Sequence, residues 1–285
     1  MADRPVPDPT LPDPALPGRA AVLGRPVGHS LSPLLHRAAY AALGLTGWTY
    51  DALDLGAEDL PVLLAGLGEE WRGFSVTMPC KQAAVDVADV VEPLPRLLHA
   101  ANTLVRTEAG WRAENTDVLG VGTTLQQAGV TSVGHAAIIG AGGTAAAAAV
   151  ALASLGAEHV DVVVREPTRA ADLLRVLDTL GVPTTVVSLT SAVVDAEVVV
   201  STVPVGGQPA VAQLPWTAGQ TVLDVLYDPW PTPLATAVTE AGGTVVGGLE
   251  VLFWQATAQV ELMTGHPAPI PEMRRALEAR PGAGS

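Results

Sequence analysis

The chain has 285 residues, and at about 150 residues per domain it is expected to form two domains. Hydrophobic residues make up 48%, charged residues 15% and aromatics 4%, which excludes a disordered chain and points to a core of Ala, Val and Leu. A formal net charge of −14 argues against nucleic acid or an anionic membrane as partner, because both bind through excess Lys and Arg. The single cysteine, Cys80, excludes an internal disulfide.

Residues 1–18 carry Pro5, Pro7, Pro9, Pro12, Pro14 and Pro17, so they form neither a helix nor an apolar signal segment and read as a mobile tail. From residue 20 the hydrophobic pattern alternates. It predicts a strand over 20–24, a helix over 32–43, a strand over 48–53, a helix over 57–67, a strand over 72–76, a helix from Pro79, and two short strands flanking Glu108-Ala109-Gly110. A helix over 116–128 then opens a second series, with strands at 136–140, 160–164, 184–187, 198–201, 221–225 and 244–246. Short β-branched runs separated by helices mark parallel sheets covered on both faces. The last helix, 249–264, is long enough to return to the first domain. The expected class is therefore α/β, with residues 19–115 and 249–285 in one domain and 116–248 in the other. The uncharged stretch 136–157 has the length of a membrane span, but Gly140, Gly142 and Gly143 break it and Ala dominates the rest, so a cytoplasmic protein is expected.

Gly140-Ala141-Gly142-Gly143-Thr144 follows a strand and opens a helix. In that setting Gly140 makes the tight turn, Gly142 lets backbone approach a pyrophosphate, and the helix N-terminus supplies N–H groups for an anion. This is the local exception an acidic chain needs. At the end of the next strand Arg165 and Arg169 suit a ribose 2′-phosphate and hence NADP, while Glu166 suits a free 2′-hydroxyl and hence NAD.

Ser32 followed by Pro33 reads as a helix N-cap, whereas Ser30 has no such role; together the two hydroxyls can cradle a carboxylate. Lys81 is the only lysine among fifteen basic residues. Arginine does not deprotonate in a protein, so a lone lysine in an arginine chain is a candidate for proton transfer. Asp117 either caps the helix it begins or pairs with Lys81, and Asn102 offers an amide toward a polyol. His29, His36, His99, His135, His159 and His266 sit neither at metal-ligand spacing nor beside a Ser–Asp pair, so no metal is expected.

These motifs, in order from Gly24-Arg25-Pro26 through Ser75-Val76-Thr77-Met78-Pro79-Cys80-Lys81, Asn102-Thr103, Glu114-Asn115-Thr116-Asp117, the glycine loop, Tyr227-Asp228-Pro229 and Gly248-Leu249 to Gln255, resemble the shikimate dehydrogenase family from about residue 20 to 277. The resemblance implies an α/β substrate domain plus a Rossmann-type domain, and NADPH-dependent reduction of 3-dehydroshikimate to shikimate. It implies Lys81 and Asp117 as the catalytic pair, and Ser30, Ser32 and Tyr227 at the substrate carboxylate. Ser75, Thr77, Asn102 and Gln255 become ring-hydroxyl partners; Gly140, Ala141, Gly142, Gly143 and Thr144 the pyrophosphate loop; Arg165 and Arg169 the 2′-phosphate clamp; and Gly248 a contact near the nicotinamide. Two departures stand out: Ser75 replaces the family's usual Asn, and Val164-Arg165-Glu166 replaces Asn-Arg-Thr. An NAD-dependent quinate/shikimate dehydrogenase and a silent metabolite sensor are the rivals. The oligomeric state is left between monomer and homodimer.

Overall fold

The computed structural model describes residues 16–192 and 194–280, so most of the Pro-rich 1–18 segment lies outside the described residues. The chain divides into two units, 1–116 with 255–285, and 117–254. Those junctions fall one and six residues beyond the expected 115/116 and 248/249.

The first unit runs β1 (Arg19–Gly24), α1 (Ser32–Ala42), β2 (Thr49–Asp54), α2 (Leu60–Ala65), β3 (Trp71–Val76), α3 (Lys81–Val87), β4 (Val90–Val91), α4 (Pro93–Leu98), β5 (Thr103–Thr107) and β6 (Gly110–Glu114). Its six strands form one sheet in the order β2-β1-β3-β5-β6-β4. β1 pairs in parallel with β2 and β3, and β5 runs antiparallel to both β3 and β6. β3 lies between β1 and β5 and is buried along its whole length, which is why its sequence WRGFSV does not alternate. Phe74 on β3 stacks on Trp71 at 5.0 Å and tilts against Trp111 of β6 at 5.3 Å, and each such ring contributes about 1.5–3 kcal/mol by burial. The helix expected over 57–67 is instead a 3-10 turn, Ala57–Asp59, followed by α2. Pro61 has no N–H to give the Ala57 carbonyl, and the Asp59 carboxylate accepts from the Gly56 N–H at 2.9 Å, so the first turn tightens.

The second unit runs α5 (Asp117–Gln127), β7 (His135–Ile139), α6 (Gly143–Ser154), β8 (His159–Val164), α7 (Ala171–Thr179), β9 (Thr184–Ser188), β10 (Val198–Ser201), α8 (Gln208–Ala212), β11 (Thr221–Asp224), α9 (Pro233–Glu240) and β12 (Thr244–Gly247). All six strands are parallel, in the order β12-β11-β10-β7-β8-β9. The order reverses between β7 and β10, and in open α/β sheets ligands bind beyond the carboxyl ends of strands at such a point. α6 buries Ala145 to Ala149 and Ala151, small side chains that let it lie close against its neighbours.

α10 (Gly248–Thr264) starts in the second unit and ends in the first. It is not the last helix: α11 (Ile270–Glu278) follows and packs on α1, burying Met273 and Leu277. Among the described residues no helix is long and apolar enough to cross a membrane.

Candidate active site

In the first unit the candidate residues lie where β1 and β3 end. The chain leaving β1 turns back through a Ser30 N–H to Val27 carbonyl bond of 3.0 Å, and α1 then begins at Ser32 itself. Ser32 is thus inside the helix rather than its cap. The capping contact comes from Ser30, whose Oγ accepts from the Ser32 N–H at 3.3 Å. Ser32 is buried and its hydroxyl faces the Tyr50 phenol.

β3 ends at Ser75-Val76. The Ser75 hydroxyl is committed on two sides: it accepts from Tyr50 Oη at 2.6 Å and donates to Gln259 Oε1 at 2.6 Å. The expected contact from Ser75 to a ring hydroxyl therefore has no proton left to give. Burial raises the Tyr50 phenol above its ordinary range and outweighs the downward pull of its hydrogen bonds to Ser75 and Ser32, so it stays a neutral donor. Thr77 is half-buried and ties the end of β3 to β1 through its N–H on the Leu23 carbonyl at 2.8 Å. Lys81, also half-buried, is the first residue of α3, and its carbonyl accepts from the Ala101 N–H at 2.9 Å, which fixes that turn beside Asn102.

Asn102 is 2% exposed and held from every side. Its Nδ2 donates to Thr116 Oγ1 at 2.9 Å and Gln255 Oε1 at 3.2 Å; its Oδ1 accepts from the Thr116 N–H at 2.7 Å and Thr103 Oγ1 at 2.9 Å. Gln259, one turn beyond Gln255 on α10, donates through Nε2 to the Asn102 carbonyl at 3.0 Å and Thr103 Oγ1 at 2.9 Å. A continuous hydrogen-bonded chain therefore runs Tyr50, Ser75, Gln259, Thr103, Asn102, Thr116, which locks the amide orientations. Tyr50 and Gln259 are absent from the sequence expectation. The four-residue spacing of Gln255 and Gln259, which puts both amides on one face of the helix, is the signal for the second.

In the second unit Asp117 is buried at the first position of α5, directly after the anchored Thr116. Gly140 directly follows β7 with φ +107, a left-handed conformation open to glycine, and a Cβ there would collide with Thr202 Oγ1 just after β10. At Gly142, by contrast, a Cβ would stand in open space, and no side chain caps the N-terminus of α6. The first-turn N–H groups of Gly143 and Thr144 are thus left for an anion at the topological switch point, so the loop fits a dinucleotide pyrophosphate. Arg165, Glu166 and Arg169 are all exposed after β8, and Arg169 Nε pairs with Glu166 at 3.4 Å. Glu166 is thereby balanced within its own turn, and Arg165 makes no ion pair among the described residues.

Tyr227 is half-buried after β11, where burial first and the Asp228 charge second raise its phenol. Asp224, unremarked in the sequence, is fully buried at the end of β11 and accepts from Thr232 Oγ1 at 2.7 Å and the Leu226 N–H at 3.2 Å. The Gly248 N–H is spent on the Leu226 carbonyl at 3.0 Å, and a Cβ at Gly248 would collide with the Val225 backbone. The Gly248 N–H is therefore not available to a nicotinamide.

Comparison with known proteins agrees with this geometry. Residues 22–104 match the family model for the shikimate dehydrogenase substrate binding domain, residues 248–278 that for the shikimate 5′-dehydrogenase C-terminal domain, and residues 135–227 one described as NADP oxidoreductase, coenzyme F420-dependent. The shikimate dehydrogenase (NADP(+)) of Moorella thermoacetica is 38% identical over 281 residues, covering 94% of this chain and 95% of its own. The chain belongs to the shikimate dehydrogenase family. Shikimate dehydrogenase of Mycobacterium tuberculosis is similar in structure with a TM-score of 0.83 and 48% identity, over 93% of this chain and 100% of that one. The Thermus thermophilus family member, solved with NADP(H) and shikimate, matches with a TM-score of 0.81 and 33% identity, over 92% and 98%. The two-domain α/β fold with a Rossmann-type second domain, expected from the sequence, is borne out.

Proposed function

We propose that the chain catalyses the reversible NADPH-dependent reduction of 3-dehydroshikimate to shikimate, as a cytoplasmic enzyme of aromatic amino-acid biosynthesis. The observation that carries this reading is the buried polar chain running from Ser32 and Tyr50 through Ser75 and Gln259 to Asn102 and Gln255. So many satisfied amides and hydroxyls at one strand end suit a small polyhydroxylated acid rather than an apolar ligand.

The Gly140–Thr144 loop and Arg165 would hold the dinucleotide, which would supply a hydride when bound. Lys81 gives its ammonium proton to the substrate carbonyl oxygen in the direction of reduction and takes it back in the reverse direction; Asp117 is its carboxylate partner. Ser30 and Ser32 hold the carboxylate at the α1 N-terminus, with Tyr227 at the same group. Thr77, Asn102 and Gln255 orient the ring hydroxyls, with Asn102 and Gln255 exchanging their 3.2 Å bond to each other for bonds to the substrate. Ser75, with its proton on Gln259, acts by holding Tyr50 and Gln259 in place rather than by touching the ring.

The test is a rate assay on the purified chain with shikimate or quinate, each with NADP or NAD. Activity with shikimate and NADP far above the other three combinations supports the proposal. A preference for NAD or turnover of quinate favours the quinate/shikimate reading, to which Glu166 lends weight, and silence in all four despite ligand binding replaces enzyme by sensor.

A further inference from the structure

A cluster in the second unit takes no part in the reaction described. His135 opens β7 and His159 opens β8, and the parallel register sets them directly opposite each other. Asp161 lies two residues along β8, on the same face as His159. His135 Nε2 stands 2.9 Å from Asp161 Oδ2 and His159 Nε2 stands 3.2 Å from Asp161 Oδ1; all three ligand atoms lie within 4.8 Å of one another. The side chains are 38%, 37% and 16% exposed, so the cluster opens to solvent on one side.

We propose that His135, His159 and Asp161 form a binding site for a divalent transition-metal ion of the zinc class. A tetrahedral ion with bonds of about 2.0–2.1 Å needs ligand atoms roughly 3.3 Å apart; each imidazole already stands that close to one oxygen of the Asp161 carboxylate, and one donor atom from each residue lies within 4.8 Å of the other two, so small side-chain rotations close the set. Two imidazoles and one carboxylate, with a fourth position left for water, form a donor set suited to zinc, cobalt or nickel rather than to magnesium or calcium. The scaffold is stiff, because the three residues sit on adjacent strands of one sheet and the Glu197 carboxylate accepts the backbone N–H groups of Gly134 and His135. Thr185 Oγ1, 3.0 Å from His159 Nε2 on the third strand, is placed to hydrogen-bond a metal-bound water. Sequence spacing hides the site, since its histidines are brought together by strand register, and the expectation of no metal rested on spacing alone. The site lies at the amino end of β7, about 16 Å along the strand from the glycine loop at its carboxyl end, so an ion there would staple β7 to β8 without entering the dinucleotide site.

The test uses the full chain without a polyhistidine tag, stripped with a chelator and titrated with cobalt(II), then competed with zinc. The expected result is one cobalt per chain with the intense visible absorption of a four-coordinate ion, displaced by zinc, and a melting temperature that zinc raises and chelator restores. His159→Ala and the shape-preserving Asp161→Asn should each weaken binding at least about 100-fold. His99→Ala, which removes the exposed histidine paired with Asp86 at 3.2 Å in the first unit, should bind as the parent does. Absence of the absorption and of any melting shift at millimolar metal overturns the proposal. So does equal binding by Asp161→Asn, or loss of binding in His99→Ala.

Discussion

His36 on α1 has no exposed surface, stacks on Tyr50 with ring centroids 4.1 Å apart, and is pushed down by burial from 6.5 to about 3, with Gln259 pulling weakly the other way. In the unfolded chain the ring takes up a proton as pH falls through 6.5; in the folded chain it takes none until about 3. Between those values the unfolded state binds more protons, so stability declines as pH drops from 6.5 and the full loss is reached below 3. At pH 5.5 the unfolded state is favoured about tenfold relative to pH 7.5, a loss of about 1.4 kcal/mol, or a melting temperature lower by about 3–6 °C. Asp224 acts in the opposite direction, because burial raises its carboxyl and the folded state takes its proton first. His36→Phe keeps a buried ring and leaves every other titratable group in place, so the difference between the parent's and the variant's pH slopes isolates His36. Urea or thermal unfolding at pH 7.5 and 5.5 measures both slopes. Parallel slopes would refute the reasoning, whatever the variant's absolute stability.

Lys81→Ala should lower turnover by about 10²- to 10⁴-fold with a comparatively small change in KM, and Lys81→Arg should fail nearly as badly, because its charge persists but its proton does not transfer; steady-state kinetics decides both. Arg165→Ala should raise KM for NADP by about 10- to 100-fold while leaving KM for NAD nearly unchanged, and equal effects on the two cofactors would remove Arg165 from the 2′-phosphate site. Ser75→Ala takes one partner from the buried Tyr50 hydroxyl, which keeps Ser32, and one from Gln259 Oε1, so it should cost about 1–3 kcal/mol in urea unfolding. An unchanged unfolding midpoint, with KM for shikimate raised, would return Ser75 to direct substrate contact.

The second sheet is legible in the sequence because each of its strands is a short apolar run bounded by turns or helices, and the pattern places 198–201 to the residue. The elements that the pattern misses, α4 and α11, each carry proline in the first turn, where a residue usually taken as a breaker is well tolerated. β4 is two residues long and exists only by pairing with β6. Within the site, Lys81 stands out by residue type and Asn102 by its motif. The partners that orient them do not, since Tyr50 to Ser75 spans 25 residues and Ser75 to Gln259 spans 184. Long-range pairing of buried polar groups leaves no local period to read, and the same holds for His135 and His159 across a strand register.

A chain with one lysine offers amine chemistry two addresses, the terminal amine and Lys81. Reductive methylation with labelled formaldehyde would therefore place an isotope signal at the proposed proton donor with one other resonance to tell it from. Trypsin, meanwhile, would otherwise cut this protein at arginines alone, so the peptide carrying the modified amine is set by sequence. Most enzymes need a designed variant before a single side chain can be followed by such means, whereas here the wild-type protein is already the probe.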